Sequence, residues 1–255
     1  MYLTIQGIVL RVTDYNDKDA LLTMLTRRHG RLTVKARGLR RKNSPLIAPC
    51  QLLAYGEFTL FEYRGQYTIN EAQSIELFTP LRRDLTKLSL GTYFAQVSEV
   101  LSQEDMPNPE LQSLLLNCLY ALSKLNLPES QVKAVFELRA ACLSGYTPDL
   151  TGCHVCGSQT PERFDLSAGM LECRNCRSPE SNGIRMPVPP SVLEAMRYIC
   201  YCDSKKLFSF QAGEDTLQQL SEVTEAYLAT QLERGFSTLD FYKSLLISVS
   251  YTHLT

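Results

Sequence analysis

RLTVKARGLRRK, residues 31–42, changes rhythm at its midpoint. Through Arg37 it alternates, with Leu32, Val34 and Ala36 on one face and Arg31, Thr33, Lys35 and Arg37 on the other. Strand side chains point to opposite faces with period two, so the stretch predicts a half-buried strand with a cationic open face. After Gly38 the alternation stops and the charge continues. Widened to residues 27–42, the window holds Arg27, Arg28, Arg31, Lys35, Arg37, Arg40, Arg41 and Lys42, and no Asp or Glu. The whole chain has a formal net charge of only −1.

The flanking sequence also reads as β. LTIQGIVLRV (3–12), DALLTMLTRR (19–28), EFTLFEY (57–63) and QYTINEAQSIELF (66–78) are rich in β-branched and apolar residues. His29-Gly30 and Arg64-Gly65 are turn signals between them. Gly38 to Pro49 reads as a polar, basic connection. Five short strands within residues 1–80 suit a small closed barrel of the OB type. The expected class is α+β: an OB-fold β-barrel, then a helical C-terminal domain with an inserted four-cysteine zinc-ribbon module.

At Pro80 the period changes. Residues 84–103 have helical spacing, Asn108-Pro109 is a cap followed by Pro at the first helical position, and apolar residues from Leu111 to Leu125 recur at helical intervals. SQVKAVFELRAACLS (130–144) is a further helix, stopped by Gly145 with Pro148 beyond. Helical patterns return at 191–202 and 214–234. The expected organisation is a barrel over 1–80, helical segments over 81–149 and 188–247, and the cysteine module over 150–187. The tail 248–255, SVSYTHLT, shows no helical stripe and no cap, and resembles adapter read-through.

Bulk properties narrow the classes. With 255 residues, 44% apolar and 21% charged, the composition is that of a globular protein. No apolar run reaches the roughly 18–20 residues that span a bilayer. MYLTIQGIVLRV lacks a basic leader and a small-residue cleavage site, so a cytoplasmic location is the expectation. Residues 1–80 carry 11 Lys and Arg against 7 Asp and Glu, the remainder 15 against 20. A basic first domain on an acidic remainder points to different partners for different parts.

Four of the nine cysteines have metal spacing. Cys153, Cys156, Cys173 and Cys176 form C-x2-C, sixteen residues, then C-x2-C. Two intervening residues let both thiolates of one turn reach one ion, and the longer segment brings a second turn around it. Four thiolates close a tetrahedral shell, which describes one structural Zn²⁺ rather than a catalytic one with an open position. Arg163, Arg174 and Arg177 lie close enough in sequence to offset the anionic charge. FDLSAGMLE (164–172) reads as a hairpin bending at Ala168-Gly169, and His154 is expected at the surface. Cys50, Cys118 and Cys142 read as lone packed thiols, and Cys200 and Cys202 as core or surface thiols.

The cation run also describes an ordinary solvated face. Its place on a strand and loop of a barrel favours nucleic acid, whose phosphates exchange condensed counterions for Lys and Arg. Stacking on a base would need Tyr or Phe, since the chain has no Trp. Phe58, Phe61, Tyr63 and Tyr67 are in the right domain, and each reads first as core.

A barrel start, KARGLRRKNS in its basic loop, and FELRAACLSGYTPDLTGCHVCG (136–157) running a helix into the cysteine module together resemble the RecO family of bacterial recombination mediators. The resemblance covers the chain to about residue 246. It implies DNA repair without enzymatic activity: binding of single- and double-stranded DNA, annealing of complementary strands, and loading of RecA together with RecR. It also implies recognition of the C-terminal tail of single-strand-binding protein. By this resemblance Lys35, Arg37, Arg40, Arg41 and Lys42 are DNA contacts, joined by Arg27, Arg28 and Arg31. The four module cysteines match the family's zinc ligands, and Arg139 is a candidate for the tail site. The sequence also allows an RNA-binding or ribosome-associated factor, a zinc-dependent hydrolase or nuclease, and a protein-only adaptor.

Overall fold

The structure is a computed structural model that describes residues 1–176 and 183–252, with side chains through residue 247. The chain forms two compact units. The first comprises Met1–Leu125 and the segment from Phe236 onward, the second Asn126–Gly235.

Strands β1 (Tyr2–Asp14), β2 (Ala20–Thr26), β3 (Gly30–Ala36), β4 (Tyr55–Tyr63) and β5 (Gln66–Glu76) close a barrel in the order β1-β2-β3-β5-β4. β1 is long because it serves two partners, pairing through Tyr2–Ile8 with β4 and through Gly7–Asp14 with β2. A register shift between Val9 and Arg11 marks the irregularity where it bends from one to the other. The parallel contact of β3 with β5, Val34 opposite Tyr67, completes the circuit. Alternation fills the interior with Ile5, Val9, Leu22, Met24, Val34, Phe58, Leu60 and Ile69.

The connection after β3 corrects its reading as merely polar. Leu39, Leu46 and Cys50 fold back onto the barrel core. Burial pushes the Cys50 thiol up to about 12.

Two expected helices pack in this unit. α1 (Leu85–Leu101) begins at Asp84, whose carboxylate accepts from the Thr86 and Lys87 N–H groups. α2 (Pro109–Lys124) begins at Asn108, whose side chain accepts from Leu111 N at 3.0 Å. Gln112 donates to Leu25 O at 2.9 Å and ties α2 to β2. A further helix, within the helical range expected to 247 but not singled out there, runs over Ser237–Thr252 and packs against α1. Phe236, just before it, meets Tyr93 edge-on at 5.5 Å. The helix therefore enters the doubtful tail, whose last residues, with His253, lie outside the described ones.

The second unit holds α3 (Glu129–Leu143), four short strands, α4 (Pro190–Tyr201) and the longer helix α5 (Glu214–Leu232). Strands β6 (Asp149–Cys153), β7 (Arg163–Asp165), β8 (Met170–Glu172) and β9 (Arg185–Pro187) line up as β6-β8-β7-β9. α3 packs on α5 around buried Lys133, which pairs with Glu137 at 3.0 Å and Glu225 at 2.8 Å and donates to Ser221 O at 3.2 Å. Among the described residues no helix is long and apolar enough to cross a membrane.

Candidate nucleic-acid interface and metal centre

β2 and β3 form an antiparallel hairpin, with Thr26 opposite Gly30 at its turn and Ala20 opposite Ala36 at its open end. The basic window is thereby divided. Arg27 and Arg28 occupy the turn, while Lys35, Arg37, Arg40, Arg41 and Lys42 gather at the other end. Arg31 lies between and is engaged: its Nη1 donates to Glu99 O at 3.0 Å, and Nη2 lies 3.9 Å from Glu104.

At the open end the β1–β2 turn supplies acids that the linear window lacks. Lys35 Nζ is 3.4 Å from Asp19 and 4.5 Å above the Tyr15 ring. Arg40 Nη1 is 3.1 Å from Asp14 and donates to Asn16 O at 3.1 Å. Asp19 also accepts from Gly38 N at 2.9 Å. That bond first, then those from Asn16 and Lys35, holds its carboxyl below the usual range. So the expectation of a cluster with no offsetting acid fails for Arg31, Lys35 and Arg40. These pairs also order the loop. Arg37, Arg41 and Lys42 are exposed and form no ion pair among the described residues.

Two further exposed cations lie on other hairpin turns of the barrel, Lys18 at this end and Arg64 toward the β2–β3 turn end. Lys18 lies on the β1–β2 turn, and Arg64 on the β4–β5 turn, 5.2 Å from the Tyr63 ring. The signal for them was available, because the first and last hairpin loops of an OB barrel flank its binding face. The aromatic expectations divide. Phe58 is core and Tyr67 packs against it, but Phe61 and Tyr63 are exposed, at 41% and 60%. Phe61 lies against exposed Tyr2 with ring centroids 5.4 Å apart.

The cysteine set converges. The sulfurs of Cys153, Cys156, Cys173 and Cys176 all lie within 4.8 Å of one another. Cys156 and Cys173 are 3.7 Å apart, close to the roughly 3.8 Å edge of a tetrahedron with metal–sulfur bonds of about 2.3 Å. Each pair stands on a tight turn. Gly157 N donates to Cys153 O at 2.8 Å, with Gly157 at φ 73°, and Cys176 N donates to Cys173 O at 3.2 Å. Cys173 N also donates to Cys153 Sγ at 3.3 Å. Burial raises the Cys153 thiol, but N–H groups of Cys156, Cys173 and Val155 outweigh it and bring it down to about 6. Cys176, bonded first to Cys156, then desolvated and faced by the Cys153 charge, rises to about 12. One thiolate thus opposes the next unless a cation is shared, which is the chemistry of a metal site.

The hairpin bends at Ala168-Gly169 as expected: Asp165 Oδ1 accepts from Ser167 and Ala168 N at 3.0 Å each, and Gly169 has φ 64°. His154 and Arg174 are exposed and Arg163 is half-buried. Arg177 lies outside the described residues. The sequence reading missed a buried ion cluster beneath the set, in which Arg185 Nε is 2.7 Å from Glu172 and Nη2 is 3.6 Å from Asp165. It also read Cys142 as lone, whereas Cys142 and Cys200 sulfurs are 3.8 Å apart. Arg139 is half-buried at the end of α4, donating to Ile199 O at 3.1 Å, Cys200 O at 2.6 Å and Cys202 O at 3.2 Å.

The barrel region, residues 1–78, matches the family model for the N-terminal part of recombination protein O, and residues 82–240 match that for its C-terminal part. The chain belongs to the recombination protein O family. Similar relatives named DNA repair protein RecO occur in Acetivibrio thermocellus, 33% identical over 96% of this chain and 97% of that protein. Others are in Alkaliphilus metalliredigens, 29% identical over 96% of this chain and 100% of the relative, and in Bacillus subtilis, 29% over 87% and 86%. As a RecO-family chain it is placed among DNA repair proteins, with an OB-like barrel, a helical region and a four-cysteine cluster able to hold a metal.

Proposed function

We propose that this protein is a cytoplasmic recombination mediator that binds single- and double-stranded DNA and anneals complementary strands. In this reading it acts with RecR to load RecA on DNA coated by single-strand-binding protein, whose C-terminal tail it recognises, and it performs no bond-making chemistry itself. The observation that carries the reading is the exposed group Arg37, Arg41 and Lys42, free of acid partners and held on an ordered loop at the open end of an OB-like barrel. Such cations contact phosphates without reading bases, and base pairing supplies the selectivity. Lys35, Arg40 and Arg31 act mainly by holding the loop and strand, with Lys18 widening the cationic rim. Arg139 supports the tail site indirectly, by fixing the end of α4.

The metal in this reading is one structural Zn²⁺ held by Cys153, Cys156, Cys173 and Cys176. It supplies cross-linking of two turns and a closed shell.

The test is a titration of a labelled single-stranded oligonucleotide with the wild type and with R37A/R41A/K42A across a salt series. Three phosphate contacts on single-stranded DNA correspond to a log–log slope shallower by about 2 in the variant. An unchanged affinity and slope in a folded variant would remove these residues from the interface. RNA as competitor, displacing the oligonucleotide at least as well as DNA, would favour the RNA-binding alternative.

A further inference from the structure

The hairpin that divides the basic window also divides the work it can do. We infer that the barrel carries two separate strand-binding surfaces, so that one chain holds two DNA strands at once. The first is the open-end surface around Arg37, Arg41 and Lys42. The second is the β2–β3 turn with Arg27 and Arg28. The inference rests on the reading that this chain binds DNA and concerns how many strands it takes.

Distance is the first argument. β3 spans seven residues between the turn and the loop, which at about 3.4 Å per residue separates the clusters by roughly 20 Å. That is more than twice the Debye length of about 8 Å at physiological ionic strength, so each cluster attracts phosphates independently.

The second argument is what lies between. Arg31, at the start of β3 between the two clusters, is taken up by Glu99 O and faces Glu104. Arg31 N donates to Gln103 O at 2.9 Å, and a Cβ on Gly30 would collide with the backbone of Gln103 and Met106. The chain at the end of α1 therefore lies directly on the start of β3. Glu99 itself binds Arg11 at 2.9 Å. A phosphate chain passing from one cluster to the other along β3 would meet this covered stretch and two carboxylates.

The third argument is the shape of the turn surface. A cavity of about 560 Å³ opens there, lined by Thr4, Gln6, Arg27, Arg28, His29 and Glu57 among others. Arg27 and Arg28 are exposed and have no ion pair among the described residues, and Glu57 is the one acid of the lining. From this concavity the outer face of β1 and β4 continues through the pairs Thr4–Thr59 and Tyr2–Phe61. Beyond Glu57 its own residues carry no charge, with Glu71 of β5 beside Thr59, and it ends in two exposed rings. Phosphates held by the arginines and bases laid on the rings describe a single-strand track that never touches the loop at 37–42.

The test uses the full chain and two short, non-complementary single-stranded oligonucleotides carrying donor and acceptor dyes. The wild type should saturate at two oligonucleotides per chain and show energy transfer between them. R27A/R28A and R37A/R41A/K42A should each saturate at one and lose the transfer, while R27K/R28K keeps both. Saturation of the wild type at one, or two retained by R27A/R28A, would overturn the inference and leave DNA binding intact. Absence of any binding by the wild type would instead overturn the functional reading on which the inference rests.

Discussion

The barrel and the cysteine module reach order by different routes. The barrel closes strands of seven to thirteen residues around a shared apolar interior, from Ile5 to Ile69, with loop residues Leu39, Leu46 and Cys50 packed onto it. The module has strands β7, β8 and β9 of three residues each. Its buried large side chains are chiefly Phe164, Leu166 and Leu171, with Phe164 edge-on to Tyr227 at 5.1 Å. What replaces apolar area is a pair of polar devices: four convergent thiols above and the Arg185–Glu172–Asp165 cluster below. The difference teaches where each region is vulnerable. A region held by buried area responds to cavities, whereas one held by a shared cation responds to the cation's removal.

The largest effect should come from the proposed Zn²⁺. Structural zinc contributes about 10–16 kcal/mol of apparent binding free energy in small domains, and there it is folding free energy. A strong chelator, or C173S, should therefore abolish hydrogen-exchange protection across β6 to β8 while barrel amides keep theirs. Equal loss in the barrel would break the comparison, and so would unchanged protection in the module. The converse probe is F58A. Phe58 is fully buried in the barrel, and its truncation should cost about 3–5 kcal/mol in chemical denaturation. Zinc released to a colorimetric chelator on thiol modification should match the wild type. A cost below about 1 kcal/mol would mean that the barrel relaxes around the hole and does not depend on its interior as described.

These two regions were also unequally legible. The barrel strands and the four cysteines were readable because alternation and C-x2-C spacing are local signatures of their geometry. The window 27–42 was readable in composition and misread in space. An antiparallel turn sends Arg28 and Arg37 to opposite ends of a hairpin, and the acids that engage Lys35 and Arg40 come from the β1–β2 turn. The buried partnership of Arg185 with Glu172 and Asp165 joins three charged residues that sequence alone assigns to the surface. The helix from Ser237 falls within the helical range expected to 247, but was not read as an element because its residues are apolar without a clear stripe. Phe61 and Tyr63 read as core by hydrophobicity. In the barrel they fall on β4 beyond the last interior position, Leu60.

The smallest effect separates the units by acid rather than by metal. Asp84 caps α1 in the barrel unit. Partial burial raises its carboxyl, but bonds from the Thr86 hydroxyl and the Lys87 and Thr86 N–H groups outweigh this and hold it below its ordinary value of 3.8. A carboxyl depressed in the folded state contributes stability that is present above the unfolded value and lost as pH falls through the folded one. D84A should therefore cost about 1 kcal/mol at pH 6, in the range of a lost helix cap. The gap between wild type and variant should narrow as pH falls below 3.8. D84N, which keeps an acceptor and has no proton to take up, should show no such narrowing relative to D84A. With the proposed Zn²⁺ bound, the module should be acid-sensitive for another reason, since protonating thiolates releases a metal. Exchange rates of the α1 amides therefore report the cap, and those of β6 to β8 report the thiolates. If D84A accelerated exchange in β6 to β8 as much as in α1, the two units would not be independent, and their contrast would be one of composition only.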